Sequence, residues 1–259
     1  MNRYCLIGKT LKHSLSKVIH ESFFKEFNIE ASYDLVELEE NMLEGFIDSL
    51  RKGSYDGINI TMPYKKSLIK YLDWISPSAK RIGSINTIKV KDNKLYGYNT
   101  DYDGFIYMLR EYKINPLNKN CFILGTGGVS NTVYEALKDM GAKSIYYVSR
   151  NKKGLNTLSY HDLVNTKMDL VINATPVGMY PNSFECPLDK DALKNVAEVV
   201  DLIYNPKITK LLKALESENN GLPMLIYQAY ESEMIWQDNE FAIDAWFKRI
   251  GEEIESIWK

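Results

Sequence analysis

A lysine and an aspartate, each at the end of a short polar segment, could together move a proton. Lys65 ends the segment Asn-Ile-Thr-Met-Pro-Tyr-Lys, Asp101 ends the segment Gly-Tyr-Asn-Thr-Asp, and a strand-like run leads into each of them. In a cleft, the carboxylate favours the charged ammonium and desolvation opposes it, so the pair can be tuned towards neutral pH. Such a pair could pass a proton to and from a substrate hydroxyl. Lys65 and Asp101 are therefore the predicted catalytic residues.

A glycine-rich turn, Gly-Thr-Gly-Gly, lies between a predicted strand and a predicted helix. Glycines allow a tight turn and let phosphates approach the backbone N–H groups at the helix N-terminus. Ser130 replaces the third glycine of the usual fingerprint, so a plain strand-to-helix turn stays open as the alternative. A hydride carrier beside a proton-moving pair would suit an alcohol dehydrogenase that needs no metal. The predicted dinucleotide contacts in this turn are Gly125, Thr126, Gly127, Gly128 and Val129.

The end of the next predicted strand indicates which dinucleotide is used. An NAD-preferring site places an acid about twenty residues beyond the glycines, for the ribose diol, whereas this chain has Arg150 there. Arginine can bind a 2′-phosphate in a bidentate manner, so NADP is favoured, with Ser149 and Asn151 beside it. The alternative is a solvated arginine, because Lys152 and Lys153 make the whole loop basic.

Several further polar residues could bind a substrate, although each is ordinary when taken alone. Ser14 and Ser16 place two hydroxyls two positions apart, where both could contact one carboxylate; a helix N-cap is the alternative for Ser16. Asn86 follows a strand-like run and Gln228 opens the last helical region. A lone Asn or Gln is more often a turn or surface residue.

The first third of the chain alternates strand-like and helical patterns, which predicts a mixed α/β unit. Proline at position 63 breaks the third strand, because proline cannot continue a central ladder. The predicted helices are Ser16–Phe27, Met42–Leu50 and Lys65–Leu72. The predicted strands are Arg3–Gly8, Ser32–Leu38, Gly57–Thr61, Ile85–Val90 and Lys94–Tyr98, with the last two forming a hairpin.

The second part alternates short apolar strands with helices, which implies a parallel sheet covered on both faces. A short linker near Asp101–Gly104 would precede it, and the chain is predicted to be helical from Leu225 to its end. The predicted helices are Val129–Met140, with Gly141 as its stop signal, and Ile208–Glu216. The predicted strands are Cys121–Leu124, Ser144–Ser149, Leu170–Asn173 and Val199–Tyr204.

Composition limits the possible classes of protein. The 259 residues suffice for two domains, and a formal net charge of −2 provides no basic face for nucleic acid. Cys5, Cys121 and Cys186 show no Cys-x-x-Cys spacing and share no metal-ligand spacing with the histidines, so we expect free thiols and no metal. The N-terminus lacks a long apolar signal region, and no apolar run is long enough to span a bilayer. We therefore expect a cytoplasmic protein without a membrane partner.

Several short segments occur in a characteristic order along the chain. They are His13-Ser14-Leu-Ser16, Asn59-Ile-Thr61-Met-Pro63-Tyr-Lys65, Gly83-Ser-Ile-Asn86-Thr87, Gly97-Tyr-Asn99-Thr100-Asp101, Gly125-Thr-Gly-Gly128, Asn173-Ala-Thr175-Pro-Val-Gly178-Met179, Asp201-Leu-Ile-Tyr204-Asn-Pro206 and Asn220-Gly-Leu-Pro-Met-Leu-Ile-Tyr-Gln228. In this order they resemble the shikimate dehydrogenase family along essentially the whole chain.

The resemblance implies an activity and a role for each matching residue. The activity is the reversible, NADP-dependent reduction of 3-dehydroshikimate to shikimate, in the pathway to chorismate and aromatic amino acids. The substrate carboxylate would contact Ser14 and Ser16, with Tyr204 assisting. The ring hydroxyls would contact Lys65, Asn86, Asp101 and Gln228, with Thr61 nearby. The cofactor side, near the nicotinamide, would be lined by Thr175, Gly178 and Met179.

The resemblance also implies a fold of the α/β class with two α/β domains and a cleft between them. Residues 102–225 would form a Rossmann-like NADP-binding domain. Residues 1–101 would form a mixed-sheet substrate-binding and catalytic domain, to which residues 226–259 return. Such an enzyme would be a monomer or a homodimer.

The chain departs from the family pattern in two places, and other functions stay open. Prolines usually flank the first motif, and their absence around Ser14 and Ser16 leaves that loop less fixed in φ. Leu222-Pro223 follows Gly221 where a second glycine is more usual. A quinate/shikimate dehydrogenase with relaxed substrate or cofactor use is one alternative. A non-catalytic nucleotide-binding sensor is another, but it would be expected to lose Lys65 or Asp101.

Overall fold

The chain divides into two compact units, each built on one β-sheet. The first unit comprises Met1–Gly104 and Ile226–Ile254, and the second comprises Phe105–Leu225 and Glu255–Lys259. The computed structural model describes residues 1–12, 14–151, 154 and 156–257. His13, Lys152 and Lys153, which contributed to the sequence interpretation, therefore lie outside the described residues.

The first unit contains a six-stranded mixed sheet; the family resemblance implied a mixed sheet, and the sequence pattern predicted five of its six strands. Its strands are β1 (Asn2–Gly8), β2 (Ala31–Glu37), β3 (Gly57–Ile60), β4 (Trp74–Ile75), β5 (Thr87–Lys91) and β6 (Lys94–Tyr98). The order across the sheet is β2-β1-β3-β5-β6-β4. Strand β1 is parallel to β2 and β3, and β5 is antiparallel to β3 and β6. The hairpin between β5 and β6 turns at Asp92 and Asn93, whose positive φ values of 51° and 59° suit a type I′ turn.

The second unit contains a five-stranded sheet in which every pair of neighbouring strands is parallel. Its strands are β7 (Asn120–Leu124), β8 (Ser144–Val148), β9 (Thr157–Leu158), β10 (Leu170–Asn173) and β11 (Val199–Asp201), in the order β11-β10-β7-β8-β9. Phe122, Val148 and Val171 pack with Leu212 in its apolar core. This is the parallel α/β arrangement that the alternation of strands and helices predicted.

Nine helices accompany these strands in the part of the chain that the structure describes. They are α1 (Ser16–Glu26), α2 (Leu43–Arg51), α3 (Pro77–Ile82), α4 (Thr100–Glu111), α5 (Ser130–Asp139), α6 (Lys190–Leu193), α7 (Lys210–Ala214), α8 (Leu222–Gln237) and α9 (Asp244–Ile257). None of these helices is both long and apolar enough to cross a membrane.

A glycine allows α8 to pack closely on the sheet of the first unit. A Cβ atom at Gly57, in β3, would lie only 2.3 Å from the indole Nε1 of Trp236 in α8. That Nε1 donates a hydrogen bond to the carbonyl of Ile88 at 3.0 Å, and the indole stacks on Tyr4 with 4.5 Å between ring centroids. The position of α8 is therefore fixed by three strands at once.

The helix predicted for Lys65–Leu72 is wrong; the segment forms only a 3₁₀ turn over Ser67–Tyr71. The carbonyl of Lys65 accepts a hydrogen bond from the N–H of Ile85 at 2.8 Å. The N–H of Ile69, which would bond to this carbonyl in an α-helix, bonds to the carbonyl of Lys66 instead. The tighter turn follows from this competition for backbone partners.

The short linker predicted near Asp101–Gly104 coincides with the division between the two units after Gly104, but these residues form the first turn of α4 rather than an irregular segment. The side chain of Asn99 accepts a hydrogen bond from the N–H of Tyr102 at 3.3 Å, as an N-terminal cap does. Two other bounds differ from expectation. Strand β11 ends at Asp201 rather than Tyr204, and the C-terminal helical region is two helices, α8 and α9, separated by residues 238–243.

Candidate active site

Lys65 and Asp101 form an ion pair within the first unit. Lys65 follows the segment after β3, and Asp101 lies in the first turn of α4, just after β6. Nζ of Lys65 lies 2.6 Å from Oδ2 of Asp101. The side chain of Lys65 is 19% exposed and that of Asp101 is 12% exposed, so the pair is shielded from solvent but still accessible.

Asn86 and Gln228 present two amides beside this pair. The N–H of Thr100 donates to Oδ1 of Asn86 at 2.7 Å, and Nδ2 of Asn86 donates to Oγ1 of Thr100 at 2.9 Å. These two bonds fix which way the amide of Asn86 faces. Nδ2 also lies 3.5 Å from Oε1 of Gln228, in α8. These hydrogen bonds therefore join Asn86, just before β5, to the start of α4 and to Gln228 in α8.

Ser14 and Ser16 lie together at the start of α1. Oγ of Ser14 donates to Oγ of Ser16 at 3.2 Å and accepts a hydrogen bond from the N–H of Ser16, also at 3.2 Å. Leu15 holds the N-cap position, so the interpretation of Ser16 as the N-cap residue is wrong. Both hydroxyls are half-buried beside the N-terminus of an 11-residue helix, where a negative charge is favoured.

The loop before Ser14 is held without the prolines that the family pattern contains. The N–H of Leu11 donates to Oε1 of Glu37 at 2.7 Å, and the Leu11 side chain is buried. Thr61 borders the same loop, since its methyl group would lie 2.6 Å from a Cβ atom at Gly8. Contacts with β2 and with the segment after β3 therefore hold the part of this loop that follows β1.

The glycine turn of the second unit joins β7 to α5, as predicted. Gly125 has φ of +98°, and a Cβ atom there would lie 2.8 Å from Cγ2 of Thr175. At Gly127 and Gly128 an added Cβ atom would meet nothing within 4 Å. Neighbouring protein atoms therefore do not require glycine at these two positions. A ligand lying against the backbone would require it, because it would occupy the space of a side chain. The buried Oγ of Ser130, at the start of α5, has no hydrogen-bond partner in the described structure. These features fit a bound dinucleotide.

Two more segments extend from the carboxyl ends of the parallel strands in the second unit. Arg150 is exposed after β8, with Ser149 accepting a hydrogen bond from the N–H of Asn151 at 3.3 Å. After β10, Oδ1 of Asn173 accepts from both the N–H and the Oγ1 of Thr175, at 3.1 and 2.7 Å. Ligands of open parallel sheets bind beyond these strand ends.

The remaining predicted residues of the second unit lie in the same set of loops. Gly178 has φ of +99°, and Met179 is 44% exposed. Tyr204 is half-buried a few residues beyond β11, and burial raises the pKa of its phenol.

The sequence interpretation missed the role of Asp201, a fully buried carboxylate at the end of β11. Its Oδ1 accepts hydrogen bonds from Nδ2 of Asn173 and the N–H of Ile203, both at 3.0 Å, and its Oδ2 accepts from Oγ1 of Thr209 at 2.7 Å. Burial raises the pKa of Asp201 to about 6, although these hydrogen bonds oppose the rise. In the sequence, Asp201 is only the first residue of a motif, and no local pattern indicates that its carboxylate bonds to two loops.

A parallel sheet with a glycine turn and a lysine–carboxylate pair among polar side chains are typical of the class of nicotinamide-dependent dehydrogenases. Residues 6–88 match the family model described as the shikimate dehydrogenase substrate binding domain. The chain is 42% identical over 250 residues to the shikimate dehydrogenase (NADP(+)) of Clostridium beijerinckii, covering 92% of this chain and 93% of that protein. It is 39% identical over 251 residues to the enzyme of the same name from Clostridium perfringens strain 13, covering 91% and 92%.

Solved structures agree. Shikimate dehydrogenase 1 from Peptoclostridium difficile has a TM-score of 0.89 and 38% identity, covering 100% of this chain and 99% of that one. Shikimate 5-dehydrogenase from Thermus thermophilus, in complex with NADP(H) and shikimate, has a TM-score of 0.86 and 28% identity, covering 98% and 99%. The chain belongs to the shikimate dehydrogenase family.

Proposed function

We propose that this chain catalyses the reversible, NADP-dependent reduction of 3-dehydroshikimate to shikimate, a step towards chorismate and the aromatic amino acids. The observation that carries this proposal is the 2.6 Å contact between Lys65 Nζ and Asp101 Oδ2. It occurs in a chain that is 42% identical to a protein named shikimate dehydrogenase (NADP(+)). A non-catalytic sensor would have no use for such a pair.

In the reductive direction, Lys65 and Asp101 supply the proton. Nζ of Lys65 donates a proton to the ketone oxygen of the substrate, and the Asp101 carboxylate holds the ammonium in position through its 2.6 Å contact. NADPH, when bound, supplies the hydride. In the oxidative direction the neutral amine accepts the hydroxyl proton. General acid–base assistance of this kind contributes about 10²–10⁴-fold to the rate.

We assign the substrate to the first unit and divide its polar residues by the group that each would bind. The paired hydroxyls of Ser14 and Ser16, at the N-terminus of α1, suit the substrate carboxylate. The amides of Asn86 and Gln228 suit the ring hydroxyls, because an amide both donates and accepts hydrogen bonds. Thr61 would contact the same hydroxyls. Tyr204 belongs to the second unit, and its assistance at the carboxylate stays a prediction from the family resemblance.

We assign the dinucleotide to the second unit. The open space at Gly127 and Gly128 and the unpaired hydroxyl of Ser130 support a pyrophosphate seat at the start of α5. An exposed Arg150 after β8 supports a contact with the 2′-phosphate, and hence NADP over NAD. The complete proposed set is Gly125, Thr126, Gly127, Gly128, Val129, Ser149, Arg150, Asn151, Thr175, Gly178 and Met179.

We further propose that the enzyme works in the cytoplasm, as a monomer or homodimer, without a nucleic-acid or membrane partner. Three free cysteines, Cys5, Cys121 and Cys186, suit a reducing compartment. A formal net charge of −2 gives no general attraction for nucleic acid. Light scattering of the purified protein would measure the oligomeric state.

A four-way assay tests the proposed activity. The absorbance of the reduced nicotinamide is followed with shikimate or quinate as substrate, each with NADP or NAD as acceptor. We expect shikimate with NADP to give the highest kcat/KM. Comparable values for quinate would extend the substrate class, and no oxidation of shikimate with either cofactor would refute the proposal.

A further inference from the structure

Ser232 is a fully buried serine on α8, one helical turn beyond Gln228. Its Oγ donates a hydrogen bond to the carbonyl of Gln228 at 2.9 Å. The same oxygen lies 2.9 Å from Nδ2 of Asn59 and 2.9 Å from Oγ1 of Thr87. A hydroxyl has one donor and two acceptor sites, which these three contacts fill; Oγ1 of Thr100 lies farther away, at 3.4 Å.

Asn59, in β3, carries the connection across the sheet. Its Nδ2 donates to Oγ of Ser232 at 2.9 Å and to Oγ1 of Thr87 at 3.0 Å, and its Oδ1 accepts from the hydroxyl of Tyr33 at 2.7 Å. Tyr33 lies in β2 and has no exposed surface. The amide of Asn59 thus joins α8 to β2.

Together these bonds form one chain of donors and acceptors. The linked side chains are Tyr33, Asn59 and Ser232, and the last hydroxyl donates to the backbone of Gln228. One end of the chain lies in β2. The other end carries Gln228, proposed for the ring hydroxyls, and Nδ2 of Asn59 also lies 3.4 Å from the carbonyl of Asn86.

We propose that Ser232 is a positioning residue, which holds Gln228 at the correct distance from Asn86 in the part of the substrate site that would bind the ring hydroxyls. This inference rests on the proposed function. Ser232 touches no substrate in this scheme; it holds the backbone of Gln228 at a fixed distance from Asn59, which in turn contacts the carbonyl of Asn86. A ring substrate can bond to the amides of both Gln228 and Asn86 only at one spacing of the two side chains.

The physical basis is that Oγ of Ser232 is the nearest hydrogen-bond partner of both Nδ2 of Asn59 and Oγ1 of Thr87, at 2.9 Å from each. Without it, the second N–H of Asn59 would have, among the described residues, only the carbonyl of Asn86, at 3.4 Å, and the hydroxyl of Thr87 could donate only to Oδ1 of Asn86, at 3.3 Å, or to Oγ1 of Thr100, at 3.4 Å. Longer hydrogen bonds are weaker, so the buried side chains would rearrange and α8 would lose a hydrogen bond to β3. The result expected is weaker binding of the substrate and unchanged binding of the cofactor.

The test is the Ser232→Ala variant of the full-length protein. We expect the KM for shikimate to rise about tenfold, the size expected when a buried hydrogen-bonded partner is lost. The KM for NADP should stay within about twofold, since the change lies outside the proposed cofactor residues. A purely structural defect would lower the active fraction, and hence kcat, without changing the KM for shikimate.

Ser22→Ala provides a matched control. Ser22 is also a helical serine of the first unit that accepts a hydrogen bond from another helix, from Nε1 of Trp246 at 3.3 Å. It lies outside the chain of hydrogen bonds described above, and its replacement should leave both KM values unchanged. Tyr33→Phe is a second test variant, which opens the same chain at another link. It should raise the KM for shikimate in the same direction, and the double variant should show less than the product of the two effects.

Calorimetric titration of wild-type protein with shikimate separates the two hypotheses. If wild-type protein binds and oxidises shikimate, and Ser232→Ala and Tyr33→Phe both have the wild-type KM for shikimate, the positioning role is overturned and the proposed function stands. If wild-type protein neither binds nor oxidises shikimate, the proposed function and this inference fail together. A rise in the KM for shikimate, but not in the KM for NADP, in both Ser232→Ala and Tyr33→Phe, with both KM values unchanged in Ser22→Ala, supports the inference.

Discussion

At the scale of single residues, the reactive pair depends on how its two partners are held. Lys65 is tied through its carbonyl to Ile85, and Asp101 lies in the first turn of α4. Their 2.6 Å contact therefore joins two backbone segments that are already fixed by other bonds. A reactive group whose backbone is fixed needs little reorganisation when substrate binds.

Replacing Lys65 by alanine tests the proton-transfer role. We expect kcat to fall by about 10²–10⁴-fold, because the general acid is lost, while the KM for shikimate changes little. Lys66→Ala is the matched control, since Lys66 is the neighbouring, exposed lysine. Near-normal turnover of Lys65→Ala in the nicotinamide absorbance assay would remove Lys65 from the chemistry.

Replacing Arg150 by alanine tests the choice of cofactor. The loss of a bidentate contact with the 2′-phosphate should raise the KM for NADP by at least about tenfold and leave the KM for NAD nearly unchanged. The measurement is a pair of saturation curves, one for each cofactor, at constant shikimate. An equal effect on both cofactors would contradict a contact with the 2′-phosphate.

At the scale of elements, the end of β11 combines a buried carboxylate with two loops of the proposed cofactor site. Asp201 orients Asn173, which in turn holds both the N–H and the hydroxyl of Thr175. Burial raises the pKa of Asp201 from 3.8 to about 6. The folded protein therefore binds this proton more tightly than the unfolded chain does.

This difference predicts how the stability of the protein depends on pH. The contribution of Asp201 is fully present below about pH 4 and is lost as the pH rises through about 6, amounting to about 2–3 kcal/mol. Asp201→Asn cannot ionise, so its free energy of unfolding relative to wild type should increase between about pH 4 and pH 8, by most of this amount. Urea unfolding at several pH values measures it. Asp48→Asn, on an exposed part of α2, is the control, and a difference independent of pH would refute the prediction.

At the scale of the whole molecule, the two units divide the proposed binding tasks between them. We expect shikimate alone to slow amide hydrogen exchange in residues 59–65, 86–101 and 226–232. NADP alone should slow exchange in residues 125–130 and 173–179. Binding protects the segments whose opening it opposes, so mass spectrometry of exchanging peptides would distinguish the two patterns. Protection of residues 59–65 by NADP alone would contradict the division.

Local periodicity in the sequence predicted the α/β class and the parallel sheet of the second unit. Apolar runs at β7, β8 and β10, with helical patterns between them, indicated that parallel sheet, whereas the mixed sheet of the first unit was implied by the family resemblance. The predictions failed where backbone partners distant in sequence decided the outcome. The carbonyl of Lys65 bonds to Ile85, which limits the following segment to a 3₁₀ turn.

The polar chain through Tyr33, Asn59 and Ser232 lies beyond what local pattern can predict. Asn59 and Ser232 are 173 positions apart and meet only when α8 packs against β3. Single buried polar residues resemble turn or surface residues in a sequence, because their partners come from other elements. Lys65 and Asp101, by contrast, were found because each ends a motif of several residues.

Gly57 has a consequence for the interpretation of natural variants. The hydrogen atom of this glycine is all that separates β3 from the indole of Trp236, and any larger substituent would force α8 outward. Gln228 and Ser232 would move with that helix, although neither contacts Gly57 directly. A missense change at this codon would therefore resemble a defect in substrate recognition, and an evolutionary survey that scored only residues near the ligand would overlook it.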